Sequence, residues 1–185
     1  MDHRTKRAGV TPRGLLMAVA LLAILWTAGI GGVPFIESSG DETAATTAGL
    51  ARLAYRPVCH QIPHRSLALG GRPFTVCARC TGLYFGGAAG LALMALGYGR
   101  VRFPGRLWLL LAVTPTVLDF GMGHLAGVSL PNLARLAVAF PAGLMLGGYL
   151  AIGVADLGKS WSRRAEEARS AQSSPATTDR LQVGG

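Results

Sequence analysis

Long apolar runs separated by short basic segments organise this chain. Residues 14–36 carry no charged side chain. At about 1.5 Å of rise per residue, a helix of that length crosses a hydrocarbon core of about 30 Å. A second run covers residues 81–99. A third covers 107–128 and is interrupted by Asp119 and His124, and a fourth covers 136–155. In lipid a spanning segment must satisfy its own backbone polar groups, so each run is expected to be helical. The pattern predicts an all-α polytopic membrane protein, a four-helix transmembrane bundle. The first run is longer than a signal-peptide core of about 7–15 residues and lacks a clear A-x-A site, so it is read as a retained anchor.

Basic residues orient the bundle. Arg4, Lys6, Arg7 and Arg13 precede the first run, and Arg100, Arg102 and Arg106 separate the second from the third. Lys159, Arg163, Arg164 and Arg169 follow the fourth. Four spans put all three groups on one side. The expected organisation is a basic cytoplasmic N-terminus (1–13), a membrane domain (14–155) with an extracytoplasmic Cys/His loop (37–80), and a polar cytoplasmic tail (156–185). The tail is expected to be disordered beyond a short helix, because it is rich in Ser, Ala and Thr. The location implied is the inner (plasma) membrane, with both termini inside. The loop also holds Arg52, Arg56, Arg65, Arg72 and Arg79, some of which are read as site residues.

Composition agrees. Half of the residues are hydrophobic and only 15% are charged, against about 25% in an average soluble domain. The net charge of +9 raises the possibility of a nucleic-acid partner. The basic residues, however, flank apolar runs, where they meet lipid head groups, and no nucleic-acid-binding module is present. The bilayer is therefore the expected partner, with homo-oligomerisation open and no nucleic acid expected. Gly82, Gly86 and Gly90 recur every fourth residue, as do Gly143 and Gly147. Such ladders let helix backbones approach closely, here more plausibly within one chain than between copies. Trp26, Trp108 and Trp161 read as packing or interface anchors.

The chemistry-bearing stretch begins at Cys59. All three cysteines fall between Cys59 and Cys80, with His60 next to the first and Cys77 and Cys80 forming a C-x-x-C pair where the second run begins. Pro57, Pro63, Gly70, Gly71 and Pro73 mark the intervening segment as turns. A helix N-terminus and the neighbouring Arg79 favour thiolate, which serves metal binding and disulfide exchange alike. Counting ligands, Cys59, His60, Cys77 and Cys80 make a Cys₃His set suited to tetrahedral zinc or another transition metal, with His64 as a substitute. A structural disulfide that leaves one cysteine over is the plain alternative.

Asp119 lies within the third run, where a carboxylate needs a partner. Arg135 and His124 are the expected ones. Pro115 before it and Gly121 and Gly123 after it suggest a kinked or unwound helix. Asn132 is assigned to the turn opened by Pro131. Asp119, His124 and Arg135 approach the side that carries the cysteines. With Arg65 and Arg79 they are the candidates for catalytic roles, and Arg65 and Arg79 would orient loops or hold an anionic substrate or lipid.

The string Cys59-His60-Gln61-x-Pro63-x-Arg65-Ser66, followed by Cys77-x-Arg79-Cys80-x-Gly82-x-Tyr84-x-Gly86, resembles the signature of a prokaryotic family of predicted membrane proteins of unknown function. The resemblance covers about residues 55–148. It implies membrane location and a shared Cys/His site, together with an intramembrane acid and a later arginine at Asp119 and Arg135. It implies no established activity. The family's usual Asp-Gly pair reads Asp119-Phe120 here.

Three functions compete. The first is a membrane protein with a Cys/His-bound metal, in which Asp119 or His124 manages protons if the site keeps an open position. The second is a thiol–disulfide oxidoreductase using Cys77 and Cys80, with Cys59 as a lone relay thiol and quinone as the linked cofactor, similar to the bacterial quinone-linked disulfide-generating enzymes. The third is a small oligomeric transporter built around Asp119.

Overall fold

A computed structural model describes residues 11–102, 104–128 and 130–173. Arg4, Lys6, Arg7 and residues 174–185 of the tail lie outside them. The described chain is mostly helical: α1 (Pro12–Ser38), α2 (Glu42–Tyr55), a 3-10 turn (Pro63–Arg65), a hairpin of β1 (Ser66–Leu69) and β2 (Arg72–Cys77), then α3 (Ala78–Leu96), α4 (Arg106–Leu125) and α5 (Asn132–Ser173). Among the described residues α1, α4 and α5 are long and apolar enough to cross a membrane. Helix α3 spans 19 residues and carries Arg79 and a row of glycines that dilute its apolarity.

The glycine ladders explain the packing. Helix α3 lies against α5, and a Cβ at Gly82, Gly86 or Gly90 would collide with the carbonyls of Leu136, Phe140 or Leu144. A Cβ at Gly143 or Gly147 would strike the carbonyls of Leu83 or Gly87. The ladders therefore face each other within one chain, and backbone contact replaces side-chain interdigitation. Helix α1 completes the bundle through two apolar clusters. At one end Leu16 and Ala20 pack on Leu91, Ala95 and Ala151. At the other, Ile30 packs with Tyr55, Cys59 and Val76. Helix α4 packs chiefly on α5, and Asp119 is its sole buried residue.

Several differences from the sequence pattern have physical reasons. The Pro- and Gly-rich stretch before Cys77 is an antiparallel hairpin rather than irregular turns. Gly70 and Gly71 have φ of 56° and 78°, the two left-handed positions that a two-residue type I′ turn requires. Ser66 pairs with Cys77 and Leu69 with Arg72. The fold is thus a helical bundle with a small β-cap, not purely α. Helix α5 continues to Ser173, well past the end of its apolar run. Helix α4 runs unbroken through Pro115 and Asp119.

Pro34 lies inside α1 and has no N–H to give to the carbonyl of Ile30, four residues earlier. The hydroxyl of Thr75, fully buried, donates to that carbonyl at 3.1 Å. The proline thus leaves an acceptor that docks β2. Arg52 of α2 adds a second clip. It forms a two-pronged ion pair with Glu37 (2.9 and 3.1 Å) and donates to the carbonyl of Pro73 at 3.0 Å. Together these contacts hold the hairpin where β2 runs into α3.

Candidate metal centre and arginine cavity

Cys77 ends β2 and is the N-cap of α3. Cys80 lies on the first turn of the same helix, and Cys59 follows α2. Their sulfurs all lie within 4.8 Å of one another, and none is in a disulfide. Three sulfurs around a tetrahedral zinc with Zn–S of about 2.3 Å are about 3.8 Å apart. The observed cluster fits an ion with only small side-chain adjustment.

Backbone amides are directed at the sulfurs of Cys59 and Cys77. The amides of Cys77 and Gln61 donate to the Cys59 sulfur at 3.2 and 3.5 Å. The Cys77 thiol is lowered to about 5, chiefly because the Cys80 thiol donates to its sulfur. The amides of Cys80 and Arg79 add to this and burial opposes it. A sulfur at a helix N-terminus, met by amides, is held as thiolate.

Gln61 holds the turn that aims Cys59. It adopts a left-handed φ of 54°, uncommon for a residue with a side chain. Its side-chain amide donates to the carbonyl of Arg52 at 2.6 Å. The sequence signal for this role is the glutamine of the Cys-His-Gln string. Asn132 is a second residue whose role the sequence conceals. It is not merely part of a turn: its side-chain amide bridges from the start of α5 to the carbonyls of His64 and Ser66, at 3.1 and 2.9 Å.

His60 is exposed and His64 is exposed, and among the described residues neither joins the three sulfurs in a common ligand cluster. His60 lines a cavity of about 300 Å³ beside the cysteines, whose wall also includes Arg65, Arg79, Phe120 and Arg135. His124 lines an adjoining cavity of about 250 Å³ with the same three arginines, its ring stacked on Phe120 at 6.1 Å between centroids. His64 faces a third cavity with Arg65, Asn132 and Arg135.

Asp119 corrects one expectation. Its partner is neither Arg135 nor His124 but Arg79, which donates from Nε to the carboxylate and from Nη2 to the Asp119 carbonyl at 3.2 Å. The Arg79 guanidinium also lies over the Phe120 ring, 5.7 Å from its centre. Arg135 is only 6% exposed and has no acidic partner among the described residues. It reaches Asn132 from Nη1 at 3.5 Å, and its Nε has no acceptor.

About half of the chain is similar in sequence to known proteins. The family described as "Predicted membrane protein (DUF2085)" matches residues 59–149, from the first cysteine into α5. An uncharacterized protein of Methanothermobacter thermautotrophicus is 34% identical over 95 residues, covering 51% of this chain and 85% of that protein. An uncharacterized protein of Methanocaldococcus jannaschii is 31% identical over 99 residues, 52% of this chain and 63% of its own length. No solved structure matches. The matched region holds the cysteine cluster, Arg79, Asp119 and Arg135, and this chain belongs to the DUF2085 family of predicted membrane proteins.

Proposed function

We propose that this protein is a four-span membrane protein that binds a transition metal, zinc first, through Cys59, Cys77 and Cys80 at the extracytoplasmic face of the bilayer. The observation that carries the reading is the convergence of three free sulfurs within 4.8 Å, supported by the amides directed at Cys59. Helix α3, held between α1 and α5, is the fourth span. The basic segments at both ends and between α3 and α4 put the termini in the cytoplasm. Cys59, Cys77, Cys80 and His60 all line the larger arginine cavity, so His60 would be the candidate fourth ligand of a bound ion, with His64, on a separate cavity, as the substitute. Three thiolates exceed the charge of a divalent ion by one, which a neutral fourth ligand such as histidine would leave unchanged. An open position would let the metal activate water or polarise a bound ligand.

Bound metal per chain, measured by elemental analysis on tag-free protein in mild detergent without chelator, tests this. Near-stoichiometric zinc, lost in a Cys77→Ser, Cys80→Ser variant, is expected. Folded, freshly prepared protein without metal would sink the proposal.

A second reading rests on a specific asymmetry. Cys77 is held low while Cys80 donates a hydrogen bond to it, the arrangement of an attacking and a resolving thiol. In that reading Cys77 and Cys80 form a redox pair, Cys59 is the relay thiol and quinone is the linked oxidant. A metal-free protein whose C-x-x-C pair cycles between dithiol and disulfide on quinone addition would favour it.

A further inference from the structure

We infer that the cavities beside the cysteines bind an anionic phospholipid, its phosphate head on Arg135 and Arg65 and its apolar chain in a cleft between α1, α3 and α5. This deepens the metal-site reading by naming the ligand class that its open side faces.

Arg135 supplies the first observation. It sits at the start of α5, more than nine-tenths buried, and among the described residues it has no acidic partner and its Nε lacks an acceptor. Burying a guanidinium without a counter-charge is costly, and a side chain left in that state in a membrane protein marks a ligand site. Both of the cavities next to the cysteines are lined by Arg135, Arg65 and Arg79, and no carboxylate lines either. Arg79 is committed to Asp119. The planar fork of the guanidinium matches phosphate oxygens in pairs.

The second observation is independent. A cleft of about 510 Å³ runs between α1, α3 and α5, with an overwhelmingly apolar wall. It lies where α1 parts from the bundle, between the two apolar clusters that hold it. Gly87, Gly143 and Gly147 lie on its wall, and Trp26, Leu146 and Leu150 are exposed there, so the cleft opens sideways to hydrocarbon. Its volume lies in the range of about 300–1,000 Å³ of sites that hold small organic ligands.

The two features meet. Val58, Cys80 and Leu83 line both the cleft and the cationic cavity. A cation pocket alone would suit any phosphate. An apolar cleft abutting it selects a molecule that is phosphate at one end and hydrocarbon at the other.

The test uses the full-length protein in a neutral detergent, given an equimolar mixture of phosphatidic acid and phosphatidylcholine with matched chains. Retained lipid is counted by native mass spectrometry, and zinc is measured on the same samples. Preferential retention of phosphatidic acid is expected. The preference should fall by more than about tenfold in Arg135→Met and return in part in Arg135→Lys. Ala23→Phe, which narrows the cleft, should reduce retained phosphatidic acid without changing the binding of inorganic phosphate followed by phosphorus NMR. Equal retention of the two lipids overturns the inference. So does inorganic phosphate binding that depends on Arg135 while Ala23→Phe leaves lipid retention intact, because the site then serves a free anion. Should Arg135→Met fail to fold, Arg65→Met carries the same test from an exposed position. Lipid held without metal would count against the metal reading alone, and metal held without selective lipid would count against the lipid alone.

Discussion

Arg79 on α3 and Asp119 on α4 form an ion pair in which the carboxylate is almost wholly buried and the arginine side chain partly so, with exposures of 2% and 19%. The pair is the polar link between the cysteine-bearing helix and a helix that otherwise turns apolar side chains outward. Asp119→Asn leaves a buried cation without its partner. It is expected to cost about 3–5 kcal/mol, read as a lowered thermal midpoint in detergent. A double variant, Arg79→Met with Asp119→Leu, should recover much of that loss. Equal instability of the single and double variants would show that the pair does not hold α4.

The glycine seam makes a contrast testable. Gly86→Ala pushes a methyl into the carbonyl of Phe140 and should destabilise by about 1–3 kcal/mol, the usual cost of overpacking. Gly121, on α4, has nothing within 4 Å of an added Cβ. Gly121→Ala should be neutral or stabilise by up to about 1 kcal/mol through helix propensity. Comparing the two melting curves checks that the seam, rather than helix content, sets the difference.

Thr75 tests the proline accommodation in α1. Thr75→Val removes the hydroxyl that satisfies the Ile30 carbonyl and leaves that acceptor buried, at a cost of about 1–3 kcal/mol. Thr75→Ser keeps the donor and should lose less. Hydrogen exchange across β2 should quicken in the valine variant and remain near normal in the serine variant.

The acid–base behaviour of Cys77 yields a pH profile. In metal-free, reduced protein its thiolate persists well below the ordinary thiol range, down to about 5. Alkylation of Cys77 by iodoacetamide should therefore hold steady from neutral pH down to about 6 and fall as pH passes through 5. The sign for stability follows. The folded value lies below the unfolded one, so the stabilisation is complete above the unfolded thiol value and is lost as pH falls through about 5. In Cys80→Ala, which removes the donor, the alkylation midpoint should move upward.

Much of this architecture is legible in the sequence, and the gaps have physical causes. The apolar runs locate the long helices, because hydrocarbon solvent forces length and composition together. The convergence of Cys59 with Cys77 and Cys80 is foreshadowed by their confinement to one short stretch ahead of an apolar run. The hairpin is hidden because Pro73, Gly70 and Gly71 read as breakers, although the paired glycines are what a tight β-turn demands. Asp119's choice of Arg79 over Arg135 depends on how far α4 swings from α5, a lateral placement that no spacing along the chain encodes. Thr75, Gln61 and Asn132 act through backbone carbonyls of distant segments, and carbonyls have no sequence signature.

Helix α5 has a mechanical consequence. It runs as one element for 42 residues, about 63 Å at helical rise, roughly twice the thickness of a hydrocarbon core. Arg135 and Asn132 ride on its first turn, and Arg163, Arg164 and Arg169 ride beyond its apolar part. The helix, with Pro141 inside it, carries two residues that line the cavities at one end and a basic arm at the other. A tilt of about 5° about its anchored first turn carries the far tip by about 5 Å. In the four-span reading proposed above, a small adjustment around the cysteines would reach the other side of the bilayer enlarged.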